Sequence, residues 1–300
     1  MVKIAVELQR ALEHRALNGD GGKLRARALA KGDGWTVEDV VCTSGPQDRP
    51  FEEQHADVAI AIVAAGTFQY RASSRHSSAA RELMTPGSVL LGRHGQYFEC
   101  GHEHGTGDRC LAFRYAPDYF ESLVADSGVS SRDFRRFCLP PMRALSPLLA
   151  RALAGLTASM ETPWEELSVQ LAAQTVQLMH GPAPGNGNAP PSSLARVSRA
   201  VRAIERNPHV RLTLASLARE AGLSPYHFLR TFEHLTGLTP HQFILRARLR
   251  EAAIRLVNGR AKILDVAFDC GFGDVSNFNR AFSAEFGVSP RAYRRQFTTS

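Results

Sequence analysis

The stretch ILDVAFDCGFGDVSNFNRAFSAEFGVSP, residues 263–290, decides the reading of this chain because a fainter copy of it stands about fifty residues earlier. Leu217, Ala218 and Gly222 match Val266, Ala267 and Gly271 at an offset of 49, and Phe228, Arg230, Phe232, Gly237 and Pro240 match Phe278, Arg280, Phe282, Gly287 and Pro290 at an offset of 50. The later copy therefore carries one extra residue in its turn. In each copy a short apolar helix ends at a glycine, whose access to positive φ lets the chain reverse, and a longer helix follows. That is the outline of a helix-turn-helix.

The spacing also predicts which faces do what. In the later copy Phe278, Ala281 and Phe282 share one face, while the opposite arc carries Ser276, Asn277, Asn279 and Arg280, short or forked polar groups suited to base edges and phosphates. In the earlier copy Phe228, Phe232 and Leu235 form the inner face and leave Tyr226, His227, Leu229, Arg230 and His234 outward, with an exposed Leu229 able to meet a thymine methyl. A helix from about Pro240 to Asn258 joins the copies. At the α-helical rise it spans about 27 Å, close to the ~34 Å between successive major-groove faces once the flanking turns are counted. A plain helical bundle is the alternative, and the charge argues against it. Residues 192–300 hold 17 Lys and Arg against 8 Asp and Glu, a net +9, whereas residues 1–191 hold 19 against 21. Such asymmetry points to a polyanionic partner for one domain.

Residues 195–297 resemble the DNA-binding domain of the AraC/XylS family of bacterial transcription regulators, through LASLAREAGLSPYHFLRTFEHLTGLTPHQF and DVAFDCGFGDVSNFNRAFSAEFGVSPRAYRRQF. The resemblance covers about a third of the chain. It implies groove-facing positions at Tyr226, Leu229 and Arg230 in the first helix and at Val275, Ser276, Asn277 and Arg280 in the second. Leu229 and Val275 are apolar where polar readers are common. It further implies double-stranded promoter DNA and the transcription machinery as partners, a small-molecule effector, and a cupin-like β-barrel followed by helices that pair two copies of the chain.

The N-terminal part fits that outline. Val58, Ile60 and Ile62 alternate with small residues, and MTPGSVLLG, residues 84–92, resembles the proline-glycine turn of a cupin strand. After Pro117 helical stripes return in PDYFESLVADS, LSPLLARALAGLTASM and TPWEELSVQLAAQTVQLMH, the last with Thr162, Pro163 and Glu165 as start signals. Those stripes must be buried either on the chain's own sheet or against a second copy. GPAPGNGNAPPSS, residues 181–193, has four Pro, three Gly and no large apolar residue, and reads as a linker. The fold class expected is thus α+β and multidomain. Residues 1–35 form an extension with a weak helix and a loose tether, and residues 36–180 a cupin-like effector and dimerisation domain. Residues 194–300 form an all-α domain with two helix-turn-helix motifs.

YFECGHEHGTGDRCLAFRY adds a chemical cluster. Cys100, His102 and His104 alternate, so on a strand they share a face, and Cys110 follows a turn; these are ligand types for a metal ion such as zinc. A hairpin loop at Gly105–Asp108 would put Cys110 on the other face unless a bulge brought it round. His55 is a further candidate ligand, as is Glu103 in a shifted register. Buried structural thiols and thiol-based redox sensing are the other readings of the cluster. Five scattered cysteines do not make a disulfide scaffold, no apolar run reaches membrane-spanning length, and the sequence suggests a cytoplasmic location. The leading expectation is a one-component transcription regulator without catalytic residues; the rival is a metal-dependent cupin enzyme tethered to DNA.

Overall fold

The computed structural model describes residues 2–72, 81–126, 137–156, 162–179, 190–258 and 261–298. Most of the expected linker at 181–193 lies outside the described residues. Two antiparallel sheets build the N-terminal half. The larger joins β1 (Leu24–Gly32), β2 (Trp35–Cys42), β4 (Val58–Gly66), β7 (Val89–Gly92), β9 (Asp108–Tyr115) and β10 (Cys138–Leu139), in the order β1-β2-β9-β4-β7-β10. The smaller joins β3 (Phe51–Gln54), β5 (Phe68–Ala72), β6 (Arg81–Met84) and β8 (Tyr97–Gly101), in the order β3-β8-β5-β6.

Strand alternation gives the larger sheet two apolar faces. Val63, Leu90 and Cys110 face Phe68, Tyr70, Met84 and Cys100 of the smaller sheet. Val37, Ile60, Ile62, Leu111, Phe113 and Tyr115 point the other way, into a core closed by four helices: α1 (Val2–Asn18), α2 (Pro117–Asp126), α3 (Ser146–Gly155) and α4 (Trp164–Met179). The helical stripes after Pro117 are therefore buried on the chain's own sheet. The hydroxyl of Tyr115 donates to the carbonyl of Ser168 at 2.9 Å and fixes α4 on β9.

Residues 1–35 depart from the expected loose extension. Ile4 and Leu8, one helical turn apart, are buried in the same core, and β1 already extends the sheet from Leu24. The reason is that the outer face of the larger sheet needs a cover which the helices after Pro117 do not supply alone. A buried ion pair fixes that cover: Arg109 donates from Nε and Nη2 to Asp39 at 2.8 and 2.9 Å, and from Nη1 to the carbonyl of Ile4 at 2.9 Å. Burial pushes the Asp39 carboxyl up, but the hydrogen bonds and charge of Arg109 and Arg27 outweigh it and hold the group below the usual carboxylate range.

The expected hairpin across Gly105–Asp108 does not form, because β8 and β9 belong to different sheets. The chain crosses from the smaller to the larger sheet between Gly101 and Asp108, and in the opposite sense between Gly66 and Phe68. The two crossings touch. A Cβ on Gly66, whose φ is +81°, would lie 2.3 Å from the Gly107 carbonyl oxygen and 2.6 Å from the Asp108 Cα, so only glycine fits.

The C-terminal half is helical: α5 (Pro191–Arg206), α6 (Leu214–Glu220), α7 (Pro225–Thr236), α8 (Pro240–Asn258), α9 (Ile263–Asp269), α10 (Val275–Phe286) and α11 (Pro290–Thr298). Helix α5 starts at Pro191, three residues ahead of the expected domain boundary, because proline is favoured in a first helical turn. Phe228 and Phe232 pack with Val197, Val201 and Ile204, and Phe278 and Phe282 with Phe286 and Tyr293. Helix α8 serves both clusters, giving Phe243 and Ala247 to the first and Leu249, Ala252, Ala253 and Leu256 to the second.

Among the described residues, His55 is not part of the group of clustered ligand atoms. Its ring stacks on Phe98 with centroids 4.0 Å apart, and its Nε2 is 3.2 Å from the Tyr70 hydroxyl. Burial, aided by the charge of Arg114, lowers its pKa from 6.5 to about 4. The folded state thus refuses a proton that the unfolded chain accepts, so its contribution is full above pH 6.5 and is lost as the pH falls toward 4. Urea titrations at pH 7 and pH 4.5 should show His55→Asn losing less stability over that interval than the parent protein, by roughly 2 kcal/mol. Equal losses in the two proteins would count against a buried neutral His55.

Candidate nucleic-acid interface and its joint with the sheets

Each long helix of the repeat begins with a side-chain cap. Ser224 Oγ accepts from the His227 amide at 3.4 Å, and Asp274 Oδ1 from the Asn277 amide at 2.7 Å. These caps satisfy amides that the first helical turn leaves without partners, and they fix where the reading face starts. Phenylalanines turn the other faces inward: Phe228, Phe232, Phe278 and Phe282 are fully buried. Of the nine residues expected to face DNA, Tyr226, His227, Arg230, Ser276, Asn277, Asn279 and Arg280 are exposed. Leu229 and Val275 are half-buried, which corrects the expectation of an exposed Leu229: both lie at the margin between the buried and outward faces.

A residue that the motif spacing does not single out ties the two motifs together. Arg248 on α8 donates from Nε to the Pro208 carbonyl at 2.7 Å and from Nη2 to Val210 at 3.2 Å, both before α6, and from Nη1 to Gly271, between α9 and α10, at 2.8 Å. Gly271 also has φ +84°, and a Cβ there would lie 2.7 Å from the His209 carbonyl oxygen. The turn of the second motif therefore closes directly on the loop that precedes the first.

Besides the packing of α3 on α8, which buries Ala150 and Ile254, polar joints fasten this unit to the N-terminal half at two places. Arg202 on α5 donates from Nε to Thr67 Oγ1 at 3.0 Å, from Nη1 to the Thr106 carbonyl at 2.9 Å, and from Nη2 to the carbonyls of Thr67 and Gly107 at 3.1 and 3.2 Å. Its guanidinium thus grips both sheet crossings at once. At the second joint Glu285 on α10 is buried, within 3.2 Å of Arg246 and 3.5 Å of Arg143, and accepts from the Ser146 hydroxyl at the start of α3. Only the far ends of the reading helices are involved. Gly237, after α7, meets Pro140, while the polar arcs of α7 and α10 remain free.

The cysteine and histidine cluster is rearranged by the crossing of β8 into β9. Among the described residues, Cys42, His102 and Asp108 bring one potential ligand atom each within 4.8 Å of one another. Cys110 is adjacent, its thiol donating to Asp108 Oδ2 at 3.2 Å, and Cys100 lies in the same apolar cluster as Cys110. His104 instead lies 3.8 Å from Glu103 and outside the group. Burial, reinforced by the charge of Asp108, pushes the thiols of Cys100 and Cys110 well above their ordinary value, which opposes the thiolate that redox sensing needs. Burial alone would lower His102, but its hydrogen bond to Asp108 and the adjacent Cys42 outweigh it and lift the imidazole to about 9.

Two capped helices with exposed polar arcs, repeated on one basic unit, define a double helix-turn-helix protein. The family description "Helix-turn-helix domain" matches residues 217–296. The transcriptional activator AarP of Providencia stuartii is 33% identical over 91 residues, which cover 30% of this chain and 67% of AarP. The probable transcriptional regulator LumQ of Photobacterium leiognathi is 38% identical over 92 residues, 30% of this chain and 37% of LumQ. The chain belongs to the AraC/XylS family. It spans about a third of the length of the first relatives it matches. Among solved structures, the DNA-binding domain of AdpA in complex with a target DNA is 28% identical, covering 34% of this chain and 92% of that one at a TM-score of 0.33. The relatives named are transcriptional regulators, and the enzyme alternative finds no support among them. None of the helices described is long and apolar enough to cross a membrane.

The two equivalent turns should respond unequally to substitution. Gly222→Ala meets open space and carries only the left-handed strain of about 1–2 kcal/mol, whereas Gly271→Ala adds a clash with the His209 backbone and should exceed that. Urea denaturation of both variants checks the order; equal destabilisation would show that the 208–210 loop yields freely.

Proposed function

We propose that this chain is a transcription regulator that reads double-stranded promoter DNA with α7 and α10 and is controlled through its N-terminal sheets. The observation that carries the reading is the pairing of two capped helices, each with an exposed arginine on its polar arc, on a frame locked by Arg248. Seven exposed residues, Tyr226, His227, Arg230, Ser276, Asn277, Asn279 and Arg280, form the reading set, with Leu229 and Val275 bordering it. Arg230 and Arg280 are the forked donors suited to a guanine edge, and Asn277 and Asn279 can address adenine. The net +9 of residues 192–300 supplies the phosphate attraction that positions them. Control runs through the Arg202 and Glu285 joints, because any ligand that displaces the sheet crossings moves the groups that α5 holds. The transcription machinery and a second copy of the chain are the further partners this role calls for.

Arg280→Ala and Arg230→Ala test the reading in a fluorescence-anisotropy titration against a footprinted promoter site and a scrambled duplex. Each should weaken the specific complex by about 1–3 kcal/mol, roughly 5- to 150-fold, and affect the scrambled duplex less. A parent protein that binds both duplexes alike, together with variants indistinguishable from it, would remove the basis for sequence reading.

A further inference from the structure

The group formed by Cys42, His102 and Asp108 has a use that the DNA-reading surface does not explain. Cys42 ends β2 and Asp108 begins β9, and the two are cross-strand partners in the larger sheet. His102 arrives from the smaller sheet, one residue beyond β8. Cys110, two residues after Asp108 on the same face of its strand, donates to Asp108 Oδ2 at 3.2 Å. One end of the space between the sheets therefore gathers two thiols, an imidazole and a carboxylate from three strand ends.

The cluster carries an unfilled valence. The His102 side chain is 1% exposed; its Nε2 is held by Asp108 Oδ1 at 2.6 Å, yet its Nδ1 is buried without a hydrogen-bond partner. Buried polar atoms are rarely left so, and an imidazole oriented by a carboxylate at one nitrogen is the arrangement in which the other nitrogen serves a metal. Buried sulfur and imidazole donors suit a borderline or soft ion, with zinc the first candidate, and do not suit magnesium or calcium, which require oxygen ligands.

We infer that Cys42 and the Nδ1 of His102, with Cys110 beside them and Asp108 orienting the imidazole, form a site for a thiophilic transition-metal ion, and that this ion is the effector of the regulator. The second part rests on the regulatory reading above. Its physical route is short: Thr106 and Gly107, whose carbonyls Arg202 holds, immediately precede Asp108. Binding an ion draws Cys42 and His102 together, carries along the Asp108 carboxylate that holds the imidazole, shifts the 102–108 crossing, and changes the purchase of α5 on the sheets. The thiol protons and the imidazolium proton of His102 are released to solvent as the ion binds.

The full-length protein, stripped with a chelator, is titrated with zinc against a chromogenic competitor and with cobalt(II), whose thiolate charge-transfer band reports sulfur ligation. One ion per chain is expected. Cys42→Ser and His102→Gln should weaken binding by more than about 100-fold and Asp108→Asn by about 10- to 100-fold, while Cys270→Ala, in the C-terminal core, leaves it unchanged. Circular dichroism of the apo variants separates loss of ligand from loss of fold. Absence of stoichiometric binding, or equal affinity in Cys42→Ser, overturns the site. With promoter DNA present, zinc should shift the affinity of the parent protein by about 5- to 150-fold and that of Cys42→Ser or Arg202→Ala little. An unchanged DNA affinity in the metal-loaded parent overturns the effector role. The metal titration contains no DNA, so failure to bind any duplex would overturn the regulatory reading, while the metal site stands or falls by the titration alone.

Discussion

Everything in the N-terminal half depends on two strand crossings passing within van der Waals distance of each other. A side chain at Gly66 would overlap the Gly107 carbonyl, so the crossings can pass this closely only with no Cβ at position 66. That constraint sets the register around it. Cys42 and Gly66 both stand opposite Asp108, one on each neighbouring strand, and His102 is delivered from the other sheet. It also leaves the carbonyls of Thr67, Thr106 and Gly107 pointing outward in a tight group, an acceptor surface that a single guanidinium can fill. Arg202 fills it. Packing geometry, ligand-type residues and the attachment of the helical half thus share one origin.

The helical half is organised differently. Helix α8 gives one end to each phenylalanine cluster, and Arg248 directs its donors to backbone carbonyls rather than to an acid. Carbonyl acceptors do not titrate and do not leave, so this tie is insensitive to pH and only weakly sensitive to salt. Glu285 works in the opposite manner: a buried carboxylate surrounded by Arg246, Arg143 and Ser146 joins the helical half to α3 through charge. Removing one member of such a group leaves an uncompensated charge behind, typically a larger loss than the pair itself was worth.

The repeat at residues 217–240 and 266–290 is legible in the sequence because helix caps, turn glycines and phenylalanine spacing are all local, and local rules need no knowledge of the rest of the chain. Face assignment on α7 and α10 follows from the same period, and fails only at Leu229, which sits at the edge of the buried stripe where a period of 3.6 does not decide. The cluster at 100–110 is harder to read. Strand alternation places Cys100 and His102 together, but treating β8 and β9 as a hairpin cannot reveal that they lie in different sheets, nor that Cys42 stands beside Asp108. Pairing across 66 residues is set by the whole sheet order and leaves no trace in either stretch. Helix α1 is undervalued by its sequence for a similar reason: its apolar stripe is interrupted by charged residues, and its importance comes from the bare sheet face beneath Ile4 and Leu8.

The Arg248 tie has a mechanical corollary. With the second motif's turn and the loop ahead of the first motif fastened to one helix, the spacing and relative tilt of α7 and α10 adapt little to an imperfect helical phase. Compliance then has to come from the duplex, which must curve or twist between the two stretches that are touched. On the proposed reading, base steps that no side chain reaches, above all flexible pyrimidine–purine steps, enter the choice of operator through the ease with which they deform.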